Sequence, residues 1–149
     1  MSDNSEVLTL LLSREKEALG RAQAELGAAR ERWQHAQQQA DQLQAYRLEF
    51  ERHWLDQFSR STQMQLMNCY RQFNTRLDSA LNQQNHTVEH VKGLAEQAQS
   101  RLVLQEIKVA SLEKLLERMA ARVKDQQARR EQRETDEWSQ ASLMRAKAT

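Results

Sequence analysis

The 149-residue chain has no proline, three glycines and one cysteine, and only 5% of it is aromatic. Strands need β-branched and aromatic side chains, and turns need Gly and Pro. With a single Ile as well, all-β and α/β folds are excluded. Cys69 cannot form an intramolecular disulfide, the usage of a reducing compartment. No stretch approaches the ~20 apolar residues of a membrane span, and the mean hydropathy is -0.89. The run from Val7 to Leu12 is too short for a signal h-region and has no positive charge before it. These absences lead to the expectation of a soluble, cytoplasmic protein.

What is present instead is 20 Gln, 18 Ala and 29% charged residues. Breaker-free chains of this kind form long helices or coiled coils. The net charge of +1 selects no partner class, although eight Lys/Arg against five Asp/Glu after Glu117 make the C-terminal stretch mildly basic.

Periodicity sharpens the fold class. Leu12, Leu19, Leu26, Trp33, Ala40, Arg47 and Trp54 recur every seven residues, with Leu8, Glu15, Ala22, Ala29, Ala36, Leu43 and Phe50 at the d offset. Arg47 and Glu15 are the polar intruders. A second series has Leu81, Val88, Ala95, Leu102, Val109, Leu116 and Val123 at a, and Leu77, Gln84, Val91, Ala98, Gln105, Leu112 and Met119 at d. Beyond Val123 the same positions become Gln126, Arg130, Arg133 and Glu137, and the apolar seam stops.

The phase is lost between the two series, where Thr62 and Gln65 have the spacing of a capping box. The expectation is one all-α domain over 1–149, a long antiparallel two-helix coiled-coil hairpin with helix 2 overhanging. Helix 1 is expected over about 4–58, a turn over about 59–63 extending at most to 67, and helix 2 over about 64–143, unpaired after about 124. Pairing a with a and d with d sets Leu12 against Leu116, Trp33 against Ala95, Ala40 against Val88 and Leu43 against Gln84. At 1.5 Å per residue, each paired arm is about 75 Å long.

Little in the chain suggests catalysis. His86, Glu89 and His90 spell HxxEH, a zinc-peptidase spacing, but they fall on solvent-facing f, b and c positions. A catalytic zinc also needs a third ligand and a dry cleft. Cys69 has no implied base beside it, and the isolated glycines make no phosphate loop. Neither a metal nor a cofactor is expected. The segment from Arg129 to Trp138 could serve as a nucleic-acid arm, a bland charged helix end or a protein-docking tip. Interleaved acids weigh against nucleic acid, and an exposed Trp on an unpaired helix weighs towards docking. Near the turn, Gln39, Leu43, Tyr46 and Phe50 on helix 1 and Phe73, Leu77, Ala80 and Gln84 on helix 2 occupy g and d positions on one flank. Their rings either widen the core or form a partner surface.

Three stretches carry a family resemblance: Leu43-Gln-Ala-Tyr46-Arg-Leu-Glu-Phe50; Asn68-Cys-Tyr70-Arg-Gln-Phe73 with Leu77 and Ala80; and Asp136-Glu137-Trp138-Ser-Gln-Ala-Ser-Leu-Met144-Arg145. With the hairpin pattern and the length, they resemble the FliJ family of flagellar export proteins. The resemblance implies a non-catalytic stalk of the type III export apparatus, located at the cytoplasmic face of the inner membrane without inserting into it. It would dock into the hexameric export ATPase FliI, promote ring assembly and activity, contact the cytoplasmic domain of the gate protein FlhA, and handle free export chaperones.

Family gate-binding positions match Gln39, Leu43, Tyr46, Phe50, Phe73, Leu77 and Ala80, with Gln84 where His is usual. Phe50 replaces a Tyr and Trp138 a Phe. ATPase docking would fall to Arg129, Arg130, Arg133, Asp136 and Trp138 at the chain's terminal end. Two alternatives stay open: an injectisome stalk of the same fold, and a general coiled-coil adaptor or chaperone that acts on no ATPase.

Overall fold

The computed structural model describes residues 2–60 and 63–148. It is all-α, an antiparallel hairpin of α1 (Ser2–Arg60) and α2 (Met64–Ala148). Ser61 and Thr62, where the capping box is expected, lie outside the described residues. The Met67 N–H donates to the Gln63 carbonyl at 3.1 Å, which places Gln63 at the entrance of α2. Ser59 and Arg60, expected in the turn, belong to α1. Ser59 Oγ donates to the Asp56 carbonyl at 2.7 Å, and Arg60 pairs with Asp56 at 3.7 Å, so the last turn of α1 is held from within. At its other end α2 passes the expected limit of 143 and reaches Ala148, with Arg145 and Lys147 in its final turn, where cations complement the helix dipole.

Contacts divide the chain into two compact units, each containing a part of both helices. The first, Gly20–Leu104, holds most of the core: Leu26, Ala29, Ala36, Ala40, Leu77, Leu81, Val88, Ala95, Ala98 and Leu102 are buried. All ten occupy the a or d positions of the sequence pattern. Such a seam is a single side-chain layer, in which each buried Leu contributes ~2 kcal/mol and each Ala less.

The axial alignment keeps the expected Ala40–Val88 pair and departs from the a-to-a, d-to-d expectation at Gln84. Val88 packs in one cluster with both Ala36 and Ala40, flanked by Trp33 and Val91. Gln84 Nε2, expected opposite Leu43, donates to the Ala36 carbonyl at 2.9 Å. An a residue, Val88, therefore shares its layer with a facing d residue, Ala36, as well as with the expected a residue, Ala40. Antiparallel pairing runs a and d in opposite order on the two helices, so a knob packs between a facing a residue and a facing d residue.

The second unit comprises the chain-terminal parts of both helices. Val109 is its buried residue, while Leu8, Leu12, Leu19, Leu112, Leu116, Met119 and Val123 are half-buried. Glu15, the intruder at d, is matched by Gln105, whose Nε2 donates to both the Glu15 carbonyl, at 3.0 Å, and its carboxylate. Lys16 and Glu113 pair at 3.5 Å across the helices. Ser5, Leu116, Met119, Ala120 and Val123 line an open depression at the start of α1. From Lys124 to Ala148 every residue is exposed, as an overhanging helix 2 requires.

Candidate partner-binding surfaces

Within the Gly20–Leu104 unit, α1 and α2 bring six aromatic residues together. Phe50 stacks on Tyr70 with centroids 5.6 Å apart and planes 14° apart, and contacts Phe73 at 4.5 Å and Trp54 at 5.9 Å. Tyr70 also meets Phe58 edge-on at 5.4 Å and Trp54 at 5.9 Å. Tyr46 meets Phe73 edge-on at 6.4 Å. Offset and T-shaped pairs such as these contribute about 0.5–1.5 kcal/mol each beyond area burial. The helical reason is plain: Phe50, Trp54 and Phe58 follow one another at i,i+4, which puts them on one stripe facing Tyr70.

The eight candidate gate-binding residues divide by exposure. Leu77 is buried, and Leu43, Phe50, Ala80 and Gln84 are half-buried. Gln39, Tyr46 and Phe73 face solvent, with Tyr46 at 50% and Phe73 at 38%. Gln84 reaches across the seam to the Ala36 carbonyl and to Gln39 Oε1, at 3.3 Å, so its amide is occupied within the hairpin. Sequence reasoning missed Phe58 and Asp78 as members of this region. The i,i+4 repeat from Phe50 was the available signal for Phe58; Asp78 had none.

Arg47, the polar intruder at a, lies beside this surface. Its Nη1 sits 2.8 Å from Asp78 Oδ1 across the helices, and its Nε sits 3.4 Å from Glu51 on its own helix. Asp78 Oδ1 makes no aligned hydrogen bond, so the link is a charge contact. Asn74, one turn before Asp78, has a buried Oδ1 with no donor. The Arg47 side chain is 31% exposed. Partly exposed pairs of this kind contribute about 0–1 kcal/mol, whereas a buried apolar side chain at the same layer would contribute ~2 kcal/mol.

The candidate ATPase-docking residues lie on the exposed end of α2. Arg129 pairs with Asp125 at 3.4 Å, and Asp136 accepts from Gln132 Nε2 at 3.3 Å, both i,i+4 on the same helix. Arg130 and Arg133 are exposed, and Trp138 is 73% exposed. Leu143 and Met144 add apolar surface further along.

The remaining motif residues lie at the surface. His86, Glu89, His90 and Cys69 are exposed. Among the described residues no group of three or more His, Cys, Asp or Glu side chains is placed to hold a metal ion. None of the described helices is long and apolar enough to cross a membrane.

Curated proteins and solved structures offer no match to the chain. Residues 4–148 match the family described as Flagellar FliJ protein. That match spans nearly the whole two-helix chain, and the protein belongs to the flagellar FliJ family.

Proposed function

We propose that the protein is a non-catalytic stalk of the flagellar export apparatus, acting in the cytoplasm at the face of the inner membrane. It docks the exposed end of α2 into the FliI ring, promotes ring assembly and hydrolysis, and presents the aromatic surface to the cytoplasmic domain of FlhA. Export chaperones are further partners. The observation that carries this reading is the continuation of α2 as an exposed helix from Lys124 to Ala148, beyond the last apolar seam residue, Val123.

A helix entering a ring must present contacts on all sides without a bulky flank. The exposed segment offers Arg130, Arg133 and Trp138 for that purpose, with cations available to carboxylates of the pore. The aromatic surface belongs to the other compact unit, and on this reading each unit serves its own partner. Coupling between them is then mechanical or allosteric.

The test is ATP hydrolysis by the cognate FliI with the full chain and with a chain ending at Val123. Stimulation by the full chain and loss on truncation support docking through the overhang. Stimulation by both moves the docking site elsewhere, and stimulation by neither, with helicity intact, favours an adaptor or chaperone. For the gate, Tyr46→Ala with Phe73→Ala is the cleaner variant, because Leu77 is buried and its truncation would also weaken the hairpin. Weakened binding to the FlhA cytoplasmic domain with ATPase stimulation retained is expected. Equal loss of both would sink the two-surface scheme.

A further inference from the structure

We propose that Arg47 and Asp78, neither among the eight candidate gate residues, are positioning residues that set the geometry of the Tyr46–Phe73 ring pair. This rests on the reading of that surface as gate-binding.

Arg47 occupies a seam layer yet keeps 31% of its side chain exposed, and its ion pairs are of the weak kind. Stability alone favours an apolar residue there. A polar group at a seam position has a different use: it specifies which residues of the two helices face one another.

The positions involved are adjacent to the rings. Tyr46 precedes Arg47 in α1, and Phe73 lies just over one turn before Asp78 in α2. Arg47 spans both helices, with Nη1 2.8 Å from Asp78 and Nε 3.4 Å from Glu51. On the heptad assignment Glu51 and Asp78 are e residues, while Tyr46 and Phe73 are g residues. The ion pair thus ties the helices on one flank of the seam and the rings meet on the other. The rings are 6.4 Å apart and edge-on, towards the far end of the range over which such pairs attract. The Arg47–Asp78 contact is close, at 2.8 Å, and joins the two helices beside them. A guanidinium can address two carboxylates from one planar group. Asn74, whose Oδ1 lacks a donor, sits one turn from Asp78 and adds no second tie.

The experiment uses the full chain and the variants Arg47→Met, Asp78→Asn and their combination. Proton NMR reads the Tyr46–Phe73 ring cross-peaks and ring-current shifts, binding to the isolated FlhA cytoplasmic domain gives the affinity, and FliI stimulation is the control. In each single variant the cross-peaks should fall by at least half and gate affinity by about tenfold, with helicity and ATPase stimulation unchanged. The combined variant should lose no more than either single one, because the two residues act as one link. Asp78→Asn, of nearly the same shape, keeps the test readable if Arg47→Met loses helicity. Unchanged ring cross-peaks, or losses that add in the combined variant, overturn the proposal. Cross-peaks that depend on Arg47 in a chain that does not bind the gate domain support the positioning role and overturn the gate reading.

Discussion

Two stretches of the same seam are built from opposite materials. Around Val88 the layers are alanine: Ala36, Ala40, Ala95 and Ala98 retain only 3–5% exposure. Closer to the turn they are aromatic, and there Phe50, Trp54 and Tyr70 are only half-buried while Tyr46 and Phe73 are exposed. These alanines are more completely enclosed than the rings. A two-helix pair has one layer between its backbones, and a ring overshoots it where a methyl group does not. In a globular core aromatic residues dominate burial; in a hairpin they are pushed to its flank, where a partner can reach them.

Substitutions can break this contrast or refine it. The largest effect is expected from Leu102→Ala, which empties a buried layer and should cost about 2–4 kcal/mol in denaturant unfolding followed by circular dichroism. Ala36→Leu tests the opposite fault, since a tightly closed layer cannot take three further carbons. A loss of about 1–3 kcal/mol is expected, with the same change at an exposed alanine such as Ala24 nearly silent. Gly20→Ala and Gly27→Ala should each stabilise α1 by about 0.5–1 kcal/mol, because a methyl group at either site meets nothing within 4 Å. Smallest of all, ending the chain at Val123 should leave the unfolding midpoint of the hairpin nearly unchanged. A large drop there would show that the exposed segment supports the seam.

The heptad pattern made the buried face of each helix legible, because burial repeats with the helical period whatever the partner. It also located the end of the seam at Val123. The alignment of one helix along the other was not legible in the same way. Periodicity reports direction around an axis but not position along it, so pairing like with like set Ala40 against Val88 and missed Ala36, which packs there too. Specific pairs bridge the helices at that offset: Gln105 with Glu15, Gln84 with the Ala36 carbonyl, and Arg47 with Asp78. Each joins residues many turns apart in sequence, and a single chain offers no signal for such a match. The g positions of Tyr46 and Phe73 could be read in advance; the stacking of Phe50 on Tyr70 depends on that same offset and could not.

The exposed end of α2 has a consequence in the language of helix–coil equilibria. Nucleating a helix is its costly step, with a penalty factor of about 10⁻³. The segment after Val123 does not face that step, since it grows from a turn already fixed by packing. Each further residue is governed by propagation alone, near balance for Ala, Arg, Gln and Glu, with local help from Arg129–Asp125 and Gln132–Asp136. Amide hydrogen exchange along it should quicken smoothly towards the terminus, without a cooperative step. A segment of this kind shortens or lengthens its helix one residue at a time, at little cost, to suit whatever encloses it.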